Sequence, residues 1–135
     1  MPTASRWLIR TALLYLAVAL GLGLLRAGDS MGLMPEIATG LWLPQLHFLT
    51  VGWLTQLIFG VAFWLFPRPT PDEWGATVIW AGYVTLNLGL VLRFVSEPAH
   101  LSARVRSWGL LASAGLQWTA SLLLVGYFWR RVRTK

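Results

Sequence analysis

The sequence predicts an all-α fold, an integral membrane four-helix bundle. Of its 135 residues, 56% are hydrophobic and only 12% are charged, and a soluble domain of this length has too little interior to bury so much apolar surface. Four apolar runs, at about 7–25, 45–66, 75–95 and 108–129, each approach the ~20 residues that a spanning helix requires. Charged residues fall almost entirely between the runs. We therefore expect one transmembrane domain over residues 1–135.

Within the first run, Arg6 and Arg10 precede an apolar stretch from Thr11 to Leu25, which Arg26 follows. A signal peptide would start in a similar way, but no A-x-A-like cleavage site follows the apolar stretch. We expect this run to be a retained membrane helix.

The second run begins next to Pro44, which suits the first turn of a helix because its missing N–H costs nothing there. The segment PRPTPDEWG then predicts a tight reversal before the third run. The fourth run follows the polar segment SEPAHLSARVRS. Six of the nine Trp lie near run ends, as an aromatic belt requires. The deeper Trp53, Trp80 and Trp118 are expected to pack inside.

Charge distribution predicts the orientation. Four crossings place both termini on one side, with seven positive charges against four on the other. The first group is Arg6, Arg10, Arg68, Arg130, Arg131, Arg133 and Lys135, and the second is Arg26, Arg93, Arg104 and Arg106. The positive-inside rule then places both termini in the cytoplasm, and we expect a bacterial inner (plasma) membrane.

Several functions are disfavoured by composition. The chain has no Cys, which excludes disulfides, thiolate metal sites and cysteine nucleophiles. All five acidic residues lie outside the apolar runs, whereas pumps and ion-coupled transporters usually need a carboxylate within the membrane. The net charge of +6 comes from basic residues at run edges, so it indicates lipid headgroups and no nucleic-acid partner.

His47 is the main functional candidate, because it lies about one turn inside the second apolar run. A neutral imidazole is a good metal ligand, and ionisable groups in membrane segments are usually functional. On a regular helix it shares a face with Thr50, Val51, Leu54, Ile58, Val61 and Leu65. That wall suits a flat hydrophobic macrocycle, and it equally suits another helix. A histidine that simply hydrogen-bonds a nearby hydroxyl or carbonyl is the alternative.

A family resemblance strengthens the ligand interpretation. His47, then Gly60 thirteen residues later, then FGVAFWLFPR with its Pro67 resemble the second transmembrane helix of subunit I of the haem–copper oxidases, in the cbb3-type and nitric oxide reductase branches. The resemblance covers about 25 of the 135 residues. It implies a haem of b or a type with His47 as axial ligand. The further histidines that hold copper in that family are missing, so we do not expect this chain alone to reduce oxygen or nitric oxide.

A haem would need cations near its propionates, and Arg93, Arg104 and Arg106 are the candidates at the predicted outer end. Snorkelling is the alternative for Arg93, and headgroup contact for the other two. Thr50, Val51 and Leu54 are the predicted wall of the haem site. The sixth iron position is expected to be open or taken by an exogenous ligand, with His100 or an oligomer interface as alternatives.

The predicted function is a membrane cytochrome that transfers electrons to a redox partner, handles haem or binds a gas. A homo-oligomer, dimer or trimer, would help to enclose the haem. Two other classes remain open. One is a cofactor-free structural subunit of a larger membrane complex. The other is a small channel or transporter, which predicts a polar lumen joining Tyr83, Asn87, Gln56 and Gln117.

Overall fold

A computed structural model describes residues 1–32, 40–66, 73–97 and 101–133. Its helices are α1 (Thr3–Ser30), α2 (Trp42–His47), a π-helical segment (Phe48–Thr55), α3 (Gln56–Leu65), α4 (Glu73–Ser96) and α5 (Ala103–Arg133). The stretch Trp42–Leu65 is one continuous rod, which we call the composite helix. In the part of the chain described, four rods are long and apolar enough to cross a bilayer. The predicted all-α bundle of four membrane helices is confirmed.

The helices are longer than the apolar runs that predicted them. Helix α1 has 28 residues, or about 42 Å at 1.5 Å per residue, against a hydrocarbon core of about 30 Å. Helix α5 likewise starts at Ala103, before the predicted position 108. Helical hydrogen bonding continues through polar residues outside the bilayer, so hydropathy marks the lipid-spanning part and misses the helix ends.

The bundle consists of two antiparallel hairpins. In the first, α1 runs against the composite helix, so that Ser5 donates a hydrogen bond to the Gly60 carbonyl at one end and Arg26 reaches Gln45 at the other. In the second, α4 packs along α5, and Ser113 donates to the Gly89 carbonyl at 2.8 Å. Small residues let the backbones approach closely, as is usual in membrane bundles.

Helix α4 joins the two hairpins. Its Phe94 stacks on Phe48 of the composite helix, with ring centroids 5.5 Å apart, and its Tyr83 hydroxyl lies 2.9 Å from the Thr11 hydroxyl of α1. Two core clusters result, one near each end of the bundle. The buried members of the first are Ala4, Leu8, Phe63, Ile79, Leu124 and Phe128, and those of the second are Ala19, Leu22, Phe48 and Leu90.

The composite helix presents one straight row to the core. Positions 44, 48, 52, 56 and 60 are all buried, whereas positions 46, 50, 54 and 58 are all exposed. In a regular α-helix a step of four residues drifts by about 40° around the axis, which would turn this row away from the core. The π-helical segment has a wider turn and cancels the drift. The Thr55 hydroxyl donates to the carbonyl of Thr50, five residues earlier, at 2.8 Å. This five-residue spacing matches the wider π-helical turn.

The prediction that Trp118 packs inside is wrong. Its side chain is 68% exposed, because α5 faces α4 through Ser113, Ala120 and Leu124, which are fully buried. Trp80 does contact the core, where it meets Tyr83 edge-on, and Trp53 is half-buried. A one-dimensional hydropathy run gives the depth of a tryptophan but not the side of the helix it occupies.

Substitution of Gly52 tests the α1 contact. A Cβ at Gly52 would lie 2.7 Å from Cγ of Tyr15, and an aromatic ring has no flexible end that can move aside. We expect Gly52→Ala to destabilise the fold by about 1–3 kcal/mol, the usual cost of overpacking. Thermal unfolding in detergent, followed by circular dichroism, measures the change. Gly21→Ala is the matched control, because nothing lies within 4 Å of its added Cβ. Equal shifts in the two variants would contradict the proposed close contact.

Candidate functional site

His47 is the last residue of α2, and one of its ring nitrogens is engaged. Nδ1 lies 2.9 Å from the Leu43 carbonyl oxygen, one turn earlier. With the proton on Nδ1, the ring donates to that carbonyl and Nε2 is left as the nitrogen with a free lone pair. No hydrogen bond from the described parts of the chain reaches Nε2. The backbone thus selects the tautomer that suits coordination through Nε2.

The π-helical segment changes which residues accompany His47. With four-residue spacing, His47 falls in a half-buried row with Val51, Thr55 and Phe59. This row borders the other hairpin, since Phe59 stacks on Phe128 of α5 at 5.4 Å and Val51 packs against the second core cluster. Val51 therefore stays beside His47 as the sequence predicted.

Thr50 and Leu54 lie in the neighbouring, exposed row and not in line with His47. The prediction of a single face assumed a regular helix. The Thr50 hydroxyl donates to the Leu46 carbonyl at 2.8 Å, so its proton is already used in a hydrogen bond within the helix. Leu54 is 46% exposed and Ile58 is 56% exposed. An apolar wall is present, but it faces outward.

The described residues of one chain do not enclose His47. Its side chain is half-buried, and Leu43 and Leu46 beside it are exposed. The His47 imidazole is a suitable axial ligand for a haem iron, whose equatorial ligands come from the porphyrin. The surroundings fit a haem only if something else covers the open side.

Arg93 is engaged by the carboxylate of Glu97, the residue that follows the end of α4. Its Nε lies 3.2 Å from Oε2 of Glu97, and the two side chains are 19% and 5% exposed. The sequence suggested Arg93 as a partner for propionates or as a snorkelling residue. Sequence reasoning missed Glu97, although its i, i+4 spacing from Arg93 is the usual signal for a helical ion pair. The pair balances the Arg93 charge at this end of α4.

Arg104 and Arg106 occupy the first turn of α5 and are exposed. Within the described residues neither makes an ion pair or a side-chain hydrogen bond. They lie at the same end of the bundle as His47, because α5 begins where α4 ends and Phe94 of α4 stacks on Phe48. His100 falls outside the described residues.

Arg26 is a further cation at this end of the bundle. The Arg26 guanidinium donates to Oε1 of Gln45 at 2.9 Å and lies 4.7 Å from the Trp42 ring centroid. It ties the end of α1 to the start of the composite helix. Arg26 therefore helps to hold the turn that carries His47 against α1.

An amide pair lies in the middle of the bundle. Gln56 is fully buried and exchanges two hydrogen bonds with Asn87, at 3.3 and 3.2 Å. Asn87 also donates to the Tyr83 carbonyl at 2.7 Å. Buried amides in hydrocarbon need partners, and here each supplies the other. This pair holds the composite helix against α4.

The four polar residues expected in a channel lumen do not form one cluster in the structure. Gln117 belongs to the α4–α5 interface, where its Nε2 lies 3.1 Å from the Ser113 hydroxyl and 3.5 Å from the Gly89 carbonyl. Gln56, Asn87 and Tyr83 belong to the other interface of α4. In the portion of the chain described, these groups bond to each other, to backbone carbonyls or to the hydroxyls of Thr11 and Ser113. The bonds lie in two separate helix contacts, which does not favour the channel alternative.

The described residues contain no group of three or more His, Cys, Asp or Glu that could hold a bare metal ion. Comparisons with protein-family models, with curated proteins and with solved structures find no match to this chain. The side chains and their surroundings are thus the basis on which function is inferred.

A double-mutant cycle tests the amide pair. Asn87→Leu leaves the Gln56 amide buried without its partner, so we expect destabilisation that Gln56→Leu in the same chain partly relieves. The expected coupling energy is about 0.6–1.7 kcal/mol, as for other polar pairs between membrane helices. Equilibrium unfolding in mixed detergent micelles measures it. Thr119→Val is a control, because the Thr119 hydroxyl bonds only within its own helix, to the Gly115 carbonyl. Additive effects of the two leucines would rule out the pairing.

Proposed function

We propose that this chain is a membrane haem-binding protein of b or a type, with His47 as an axial ligand of the iron. The observation that supports this proposal best is the hydrogen bond between Nδ1 of His47 and the Leu43 carbonyl. Histidines that ligate metals usually donate their other N–H to a carbonyl or carboxylate, which fixes the ring and makes the coordinating nitrogen more basic. A membrane histidine arranged in this way is prepared to coordinate.

The residues around His47 would hold the rest of the group. Val51 lies in line with His47, and Thr50 and Leu54 lie in the adjoining row, which gives the porphyrin an apolar surface. Arg104 and Arg106 are exposed cations at the same end and would pair with propionates. Arg93 contributes less, because Glu97 already balances its charge. When bound, the haem supplies an iron that changes oxidation state, and electron transfer to a redox partner is the task we favour over haem handling or gas binding.

A second copy of the chain would complete the site. Leu46, Leu54 and Ile58 form an exposed apolar row directly beside the row of His47. A homo-oligomer, dimer or trimer, would cover this row and shield the haem from lipid. The sixth iron position would stay open or take an exogenous ligand.

The same exposed row also suits a cofactor-free subunit that packs on other helices of a larger membrane complex. This second candidate uses Leu54 and Ile58 as packing residues and gives His47 no chemical role. The two candidates differ in one property, the visible spectrum.

We further propose a bacterial inner membrane location with both termini in the cytoplasm. The helix order places the chain ends together at the end that carries Arg6, Arg10 and Arg130. The opposite end carries four basic residues, Arg26, Arg93, Arg104 and Arg106, against seven at the end with the termini. The excess of positive charge therefore lies with the termini.

Substitution of His47 tests the haem proposal. Protein expressed with an adequate haem supply should show a Soret band, His47→Ala should lose it, and His100→Ala should keep it. Added imidazole should restore part of the band in His47→Ala by supplying the missing nitrogen. Circular dichroism should show that the variant keeps its helices. A wild-type protein without a Soret band would favour the cofactor-free subunit, and an unchanged band in His47→Ala would remove His47 as ligand.

Single cysteines test the orientation on a background that contains none. Thr3→Cys reports on the end with the termini, and Ser102→Cys reports on the end with His47. In intact cells with a permeabilised outer membrane, we expect an impermeant maleimide to label Ser102→Cys and not Thr3→Cys. Both should react after the inner membrane is disrupted. The reverse pattern in intact cells would overturn the proposed orientation.

A further inference from the structure

A cavity of about 490 Å³ lies between α3 and α5, at the end of the bundle that carries the termini. It is lined by Phe59, Val125, Phe128, Trp129 and Val132, so every wall is an apolar or aromatic side chain. Phe59 belongs to the row of His47 but lies twelve residues further along, about 18 Å by helical rise. The cavity is therefore separate from the candidate haem site.

One side of this cavity is open to the bilayer. Trp129 is 63% exposed, and Val125 and Val132 are exposed as well. The floor is closed, because Phe128 is buried and stacks on Phe59, and Phe66 meets Phe128 edge-on at 6.0 Å. A closed apolar floor with an opening toward lipid matches the shape of an acyl chain lying along the helices.

Positive charge gathers at the end of the bundle where the cavity lies. Arg130, which is exposed, follows Trp129 directly, and the helix continues through Arg131 and Arg133. The Arg131 guanidinium lies 4.7 Å from the Tyr127 ring centroid and 5.3 Å from that of Phe63, so this cation packs against the first core cluster, to which Phe128 of the cavity also belongs. Arg6 and Arg10 of α1 lie at the same end. By sequence, Asp72 and Glu73 are the acidic residues there, so basic residues outnumber them.

We propose that this cavity binds one acyl chain of an anionic phospholipid, whose phosphate lies against the arginines at the end of α5. The apolar walls fix the chain, and the arginines select the headgroup. Basic clusters next to membrane helices bind anionic lipid through charge, and the cavity adds a fixed position to that attraction. The lipid would also fill the gap between α3 and α5, where the two hairpins are otherwise joined by aromatic contacts.

Native mass spectrometry of the detergent-purified full chain tests the proposal, with phosphatidylglycerol and phosphatidylcholine as the two probes. We expect phosphatidylglycerol to bind with a stoichiometry of one, and phosphatidylcholine to bind more weakly. Arg130→Gln combined with Arg133→Gln should lower phosphatidylglycerol binding about tenfold or more, given the attraction expected for each basic residue. Arg131 is kept, because it packs on Phe63 and Tyr127.

Val125→Trp should fill the cavity and abolish the specific binding of phosphatidylglycerol. Leu111→Trp is the matched control, an exposed position on the same helix far from the cavity. Equal binding of the two lipids would overturn the choice of an anionic headgroup. Undiminished binding in Val125→Trp would overturn the cavity as the site, even if the arginine variant binds less. Circular dichroism of each variant shows that loss of binding is not loss of fold.

Discussion

The straight core row of the composite helix organises the bundle. Members of this row contact other helices along the length of the bundle. Phe48 contacts Tyr15 of α1 and Phe94 of α4. Further along, Gln56 forms hydrogen bonds with Asn87 of α4. Gly60 approaches Leu8 and Ile9 of α1. A regular α-helix would carry these positions around the axis and out of contact with their partners. The π-helical turn keeps them in line, so a local change in backbone geometry determines how all three of these helices pack.

The same row explains where His47 lies. Because rows repeat every four residues, the position next to Phe48 is held at the edge of the bundle, neither in the core nor fully in lipid. The imidazole is therefore half-buried, on a side of the composite helix that the described residues do not cover completely. π-Helical turns are frequent at functional sites, and here the turn begins with the residue that follows the histidine. The geometry that packs the bundle also sets the exposure of the candidate ligand.

Hydropathy predicted the number and depth of the membrane helices, since both depend on composition along the chain. It did not predict rotation about each helix axis, which depends on tertiary partners. The prediction that Trp118 packs inside is wrong for that reason. The prediction that Thr50 and Leu54 share the face of His47 assumes 3.6 residues per turn, which does not hold in the π-helical segment. The Arg93–Glu97 pair was detectable from spacing but was overlooked because Glu97 lies past the apolar run. The contact between Nδ1 of His47 and the Leu43 carbonyl oxygen depends on the side-chain conformation, which the hydropathy pattern does not encode.

The Gln56–Asn87 pair has a mechanical consequence. Sliding α4 along the composite helix by one turn would separate two amides within hydrocarbon, where water cannot replace the lost bonds. Intermediate positions are no better, because both hydrogen bonds depend on the same alignment. Piston-like motion between the hairpins is therefore opposed at its first step. The molecule is suited to serve as a fixed frame, and any change of state that it undergoes would take place at its edges and ends.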